Sequence, residues 1–153
     1  MILAFLAVLA STTPAAQTTW MRPDLFHLVI GMPRNEVEKT LEMNGWKLKP
    51  GDDPNHVVID YAEDKGVTLQ FRKERLNAVS FELFALVPQA KMAFDEEKSF
   101  LRQKFGDSKK TKPSIVIYDD RLPNVMVVLS ADPKSEHGRR GLGMLVVRYY
   151  DPR

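Results

Sequence analysis

Two rhythms of apolar residues run through the chain. From residue 67 to 73 they alternate, with Val67, Leu69 and Phe71 on one side and Thr68, Gln70 and Arg72 on the other. That period of two marks a strand with one buried face. Residues 76–84 repeat it, with Val79, Phe81 and Leu83 inward and Ser80 and Glu82 outward. Residues 57–62 read as a strand ahead of these, and Asp64-Lys65-Gly66 supplies hairpin chemistry between the first two. The second rhythm is helical. Residues 31–46 carry Val37 and Leu41 four apart, with Gly31 and Pro33 at the start and Gly45 as the stop, after which Trp46 folds back on the last turn. Pro88 breaks the chain after the third strand. Residues 89–105 then place Ala90, Phe94, Leu101 and Phe105 on one face, ended by Gly106.

Three more strands follow, over 114–119, 125–130 and 142–150. Leu122-Pro123-Asn124 joins the first pair, and the long polar stretch 131–141 joins the second. Residues 17–30 lead in, with Asp24 suited to cap a short turn and Leu25, Phe26, Leu28, Val29 and Ile30 apolar enough to be buried. The order is therefore helix, three strands, helix, three strands. A Tyr/Asp pair sits in the first strand of each set, Asp60-Tyr61 and Tyr118-Asp119. This predicts an α+β domain over 17–153, an antiparallel sheet of about six strands with helices on one face. Two similar halves, about 24–84 and 88–150, are expected within it.

Composition refines this picture at the N-terminus. Residues 1–10 are almost wholly apolar, and Ser11-Thr12-Thr13-Pro14-Ala15-Ala16 supplies small residues and a breaker. The pattern is that of a secretory signal peptide over 1–16, although no Lys or Arg precedes the apolar run. The run is too short for a permanent span. A periplasmic or secreted location follows as an expectation. The chain has no cysteine, which excludes disulfides, thiol catalysis and lipidation of a cysteine. Net charge is only +2, but it is uneven. Residues 1–84 carry 9 basic and 11 acidic side chains, and residues 85–153 carry 13 and 9. No global case for nucleic acid or an anionic membrane arises.

The motif Gly-Met-x-x-x-Glu-Val at residues 31–37, behind an export leader and ahead of strands, resembles the opening of small exported α+β proteins. Two groups share this plan: outer-membrane assembly lipoproteins of the SmpA/OmlA kind, and proteins with the beta-lactamase inhibitor protein-like fold. This sequence has Pro33 where a capping Thr or Ser is expected and no cysteine for a lipid. The resemblance implies a non-catalytic exported module that binds another protein.

Little in the chain points to chemistry. His27, His56 and His137 are isolated, without metal-ligand spacing, and there is no phosphate loop, dinucleotide fingerprint or nucleophile elbow. No cofactor and no metal are expected. Asp52, Asp53, Asp60, Glu63 and Asp64 are turn-forming acids whose convergence would make a small hydrolase the alternative reading. Lys109, Lys110 and Lys112, with Arg139 and Arg140, suit steering of an acidic partner. Nucleic acid is not expected, because no aromatic residues interleave with these charges.

The last strands differ from the first. Val125, Val127 and Leu129 alternate with Met126 and Val128, and Leu142, Met144 and Val146 alternate with Leu145, Val147 and Tyr149, so both faces are apolar. Two explanations compete. Either the strands are central, covered by a helix on one side and residues 25–30 on the other, or the extra face binds a partner. The candidate binding residues are Met126, Leu145, Tyr149 and Tyr118, with Arg139 and Arg140 at the rim.

Overall fold

A computed structural model describes residues 20–107, 110–112, 115–118, 124–131, 134 and 136–153. The expected leader over 1–16, Lys109 and the Asp119-Asp120 pair lie outside the described residues. No helix among the described residues is long and apolar enough to cross a membrane.

The elements in chain order are a 3-10 turn (Pro23–Phe26), α1 (Arg34–Met43), β1 (Leu48–Pro50), β2 (His56–Ala62), β3 (Lys65–Arg72), β4 (Arg75–Leu86), α2 (Val87–Phe105), β5 (Lys110–Lys112), β6 (Ile115–Tyr118), β7 (Asn124–Ser130), α3 (Glu136–Arg139) and β8 (Leu142–Tyr150). The strands form one sheet in the order β1-β2-β3-β4-β8-β7-β6-β5, every described pair antiparallel. The α+β class and the antiparallel sheet stand as expected. The six expected strands are present, and β1 and β5 extend the sheet by three residues at each edge. Neither stretch carries an alternating pattern in the sequence. Pairing with a neighbour's free edge recruits them, and Lys49 and Pro50 of β1 suit an edge that must not pair further.

α1 is followed by β1 to β4, and α2 by β5 to β7, the short α3 and β8; β4 and β8 meet at the centre of the sheet. The helices themselves differ. Ten-residue α1 buries Val37 and Leu41, whereas nineteen-residue α2 buries Ala90, Ala93, Phe94, Glu97 and Leu101. The expected pair of similar halves is not established by this order, since α3 interrupts only the second set of strands.

Sequence chemistry explains the helix ends. Pro33 precedes the first helical residue rather than occupying it. It holds an extended ψ of 142° while its carbonyl accepts the Val37 N–H at 3.0 Å. At the other end, Trp46 N–H donates to Leu41 O (3.0 Å) and Gly45 N–H to Glu42 O (2.9 Å), with Gly45 at φ +81°. This pair of bonds is a Schellman stop. α2 begins where β4 ends, with no loop. Pro88 therefore starts the helix instead of breaking the chain, since its missing N–H is one the first turn leaves unpaired.

The core lies on one face of the sheet. Across the strands Ile59 faces Val67, Val67 faces Phe81, and Phe81 faces Val147, which faces Val127, all essentially buried. α2 covers β4, β8 and β7 on this inner face, closest at Gly143. The segment 20–30 covers the same face. Phe26 packs on Phe81 at 5.7 Å between ring centroids, and Trp20 meets Phe81 edge-on at 5.7 Å. The expectation that residues 25–30 blanket the opposite face of the late strands is thus corrected. Phe26 and Leu28 join the single core cluster, because one large aromatic and aliphatic surface is buried more completely than two small ones.

Candidate binding face and a buried carboxylate

Strand alternation puts the remaining side chains of β4, β8 and β7 on the outer face. Registers place Glu82 beside Val146 and Val146 beside Val128, Phe84 beside Met144, and Arg148 beside Met126. Phe84, Met126, Val128, Met144 and Val146 are each half-buried. Among the described residues, α1, α2 and the segment 20–30 all contribute to the single inner core. What reaches the outer side is α3, where the His137 ring lies 5.1 Å from that of Phe84. Toward β3 the face turns polar, with Thr68, Ser80 and Gln70. The Arg148 guanidinium reaches across to donate to the Gln70 side-chain oxygen and lies 5.8 Å from the Tyr150 ring. Glu82 sits at the junction, and partial burial raises its carboxyl above the usual range.

Three of the six sequence-derived candidates divide between the faces. Leu145 is fully buried and Tyr149 is 5% exposed, both beneath α2 on the inner face. Met126 is on the outer face, because it pairs with Arg148 while its neighbour Val125 pairs with Tyr149. A patch joining Met126 and Val128 to Leu145 and Tyr149 therefore does not form. The parity of the pairing separates them, and Met144 and Val146 take the places of Leu145 and Tyr149. Tyr118 ends β6, its backbone paired with Val125. Arg139 and Arg140 are exposed on and just after α3, near the Phe84 end of the outer face, with Arg140 3.5 Å from Glu136.

Of the early acids, Asp60 and Glu63 line one open cavity with Lys47 and Tyr61. The Asp53 carboxylate accepts from Asn55 N–H and pairs with His56, and Asp60 pairs with Lys49 at 3.0 Å. Among the described residues no group of three or more such side chains is placed to hold a metal.

Sequence reasoning overlooked Glu97. It is fully buried, three residues after Phe94 and four before Leu101, in the apolar stripe of α2. A charge at a core-facing helical position was the available signal. The Tyr149 hydroxyl donates to Glu97 Oε1 at 3.5 Å, and Arg22 Nη2 lies 3.6 Å from Oε2. The Arg22 guanidinium stacks 3.5 Å from the Phe100 ring centroid. Arg22 Nε and Glu97 Oε2 have no hydrogen-bond partner among the described residues. Burial pushes the Glu97 carboxyl up to about 7, against the pull of the Arg22 charge, the Tyr149 hydrogen bond and the more distant Lys104. Burial and the neighbouring Glu97 charge push the Tyr149 hydroxyl up as well, so it stays protonated as a donor.

No family model matches this chain, and no curated protein or solved structure is significantly similar to it. The likeness to exported α+β modules rests on residues 31–37 and the order of elements. The geometry of the outer face has to carry the functional argument.

Proposed function

We propose that the protein is an exported, non-catalytic module that binds another protein on the outer face of β4, β8 and β7. The observation that carries this reading is an apolar half-sheet face that, among the described residues, α1, α2 and the segment 20–30 leave uncovered, with only the one-turn α3 reaching its Phe84 end. Monomeric proteins seldom leave such surfaces contiguous unless something uses them. The face has the anatomy of an interface, with Met, Phe and Val at its centre and Arg139 and Arg140 at one end. The excess of basic residues in 85–153 favours a partner with an apolar ridge bordered by carboxylates, drawn in by charge and held by burial. The apolar run 1–10 supports action in the periplasm or outside the cell.

The test is site-specific photo-crosslinking in the producing cell. A photoreactive residue at Val128 or Met144 should yield a defined adduct with an acidic protein, while one at Thr68, on the polar half of the same face, should not. The purified partner should then bind more weakly to Arg139→Glu/Arg140→Glu and at high salt. Equal adducts at all three positions, none at Val128 and Met144, or adducts between two copies of this chain would each reject the proposal.

A further inference from the structure

The segment 20–30 is held to the molecule in an unusual way. Among the described residues its main-chain hydrogen bonds are local, as in Leu25 N–H to Arg22 O and Leu28 N–H to Pro23 O. The first that ties this stretch to the sheet is Gly31 N–H to Leu76 O. Before that point, side chains do the holding. Trp20 stacks on Tyr61 at 5.2 Å, Met21, Phe26 and Leu28 are buried, and Arg22 enters the niche formed by Phe100 and Glu97 of α2. We propose that Glu97 is a proton-binding site that sets how tightly residues 20–30 seat on the core.

The groups around the carboxylate are few. Arg22 comes from the segment, Tyr149 from β8 and Lys104 from α2 itself, while Asp24 acts on the Tyr149 hydroxyl. Arg22 and Lys104 favour the ionised form. Their attraction falls short because the Arg22 contact is long and Oε2 lacks a hydrogen bond, so desolvation dominates. Lifting the segment would remove Arg22 and admit water to Glu97, returning its carboxyl toward the ordinary range. The seated form therefore holds a proton that the lifted form releases. Seating is tightest below the ordinary carboxylate pKa. It weakens as pH rises from there through about 7 and levels off above that. A shift from 4.5 to about 7 corresponds to a change on the order of a hundredfold in the seating equilibrium.

Three measurements on the full chain test this. Carboxyl carbon NMR should show Glu97 titrating near pH 7. Hydrogen exchange, corrected for its intrinsic pH dependence, should show opening of residues 20–30 increasing roughly a hundredfold between pH 5 and pH 8, and Glu97→Gln should abolish that increase. Near-ultraviolet circular dichroism should follow the same midpoint, since both tryptophans of the chain, Trp20 and Trp46, stack on Tyr61. Arg22→Met should move the Glu97 midpoint upward, which a purely structural contact would not do. The proposal fails if Glu97 titrates in the ordinary carboxylate range or if the pH response persists in Glu97→Gln. It also fails if peptides of β8 open equally with the segment, for then the proton acts on the whole fold.

Discussion

Gly45 ties one residue's backbone freedom to the path of the whole first half. A Cβ there would meet nothing within 4 Å, so crowding does not restrict the position. The restriction is φ +81°, which lets the chain leave α1 and brings Trp46 against Phe26 and Tyr61, at 5.1 and 5.2 Å between centroids. Gly45→Val should lower stability by about 1–2 kcal/mol, read as an earlier urea midpoint with an unchanged slope, because a β-branched residue is strained at positive φ. Glu97 shows the same kind of dependence through charge. Its neighbours in the stripe of α2 are Ala90, Ala93, Phe94 and Leu101, and Arg22, Tyr149 and Lys104 offset the loss of water only in part. Tyr149→Phe keeps the ring against Phe81, 6.2 Å away, and removes the hydroxyl donor. The Glu97 midpoint should rise above that of the native chain in a carboxyl NMR titration, because the lost hydrogen bond favoured the ionised form.

Among the elements, α2 and β8 come close at Gly143, where an added Cβ would lie 3.2 Å from Ala90 Cβ and 3.7 Å from Val87 Cα. Strand and helix approach closely because neither presents a large side chain there. Gly143→Val should force α2 outward and destabilise the fold by about 1–3 kcal/mol, measured by thermal unfolding. β8 also carries two unlike faces within single-residue steps. Val147 is fully buried between Phe81 and Val127, whereas Val146 is half-buried on the outer face between Glu82 and Val128. Val147→Asp should abolish cooperative unfolding, since burying an unpaired carboxylate costs several kcal/mol. Val146→Asp should remain folded, with native far-ultraviolet circular dichroism and a loss of no more than about 1 kcal/mol, because its carboxylate can reach water. Equal damage from the two would mean that the outer face is also core.

For the molecule as a whole, the sheet is covered on one side by two unequal lids. α1 and the segment 20–30 join the core beneath the early strands, and α2 packs on β4, β8 and β7. The opposite side is polar over β3, with Thr68 and Gln70, and apolar over β8 and β7. Charging the apolar part at two positions, as in Met144→Lys/Val128→Lys, should leave the fold intact and remove the crosslinked adduct proposed above. Loss of folding in that double variant, seen by circular dichroism, would assign the face to the core.

The sequence by itself determined the local events. Period-two alternation placed β3 and β4, and helical spacing placed α1 and α2 within a few residues. The Gly45-Trp46 stop was readable because Schellman geometry depends on residues adjacent in the chain. Even the anomaly of Glu97 was written in the stripe of α2, although nothing in the chain named its partners. Arg22 and Tyr149 are separated from it by 75 and 52 residues, and only packing brings them within 3.6 Å. Tertiary structure also decided which apolar face of the late strands was buried. Alternation shows that two faces exist and cannot say which one meets a helix. The register Val125 to Tyr149 assigns the faces, and the placement of residues 20–30 beside Phe81 leaves the outer one without them. The edge strands β1 and β5 belong to the same class, since a three-residue strand has no pattern of its own and exists through the neighbour that pairs with it.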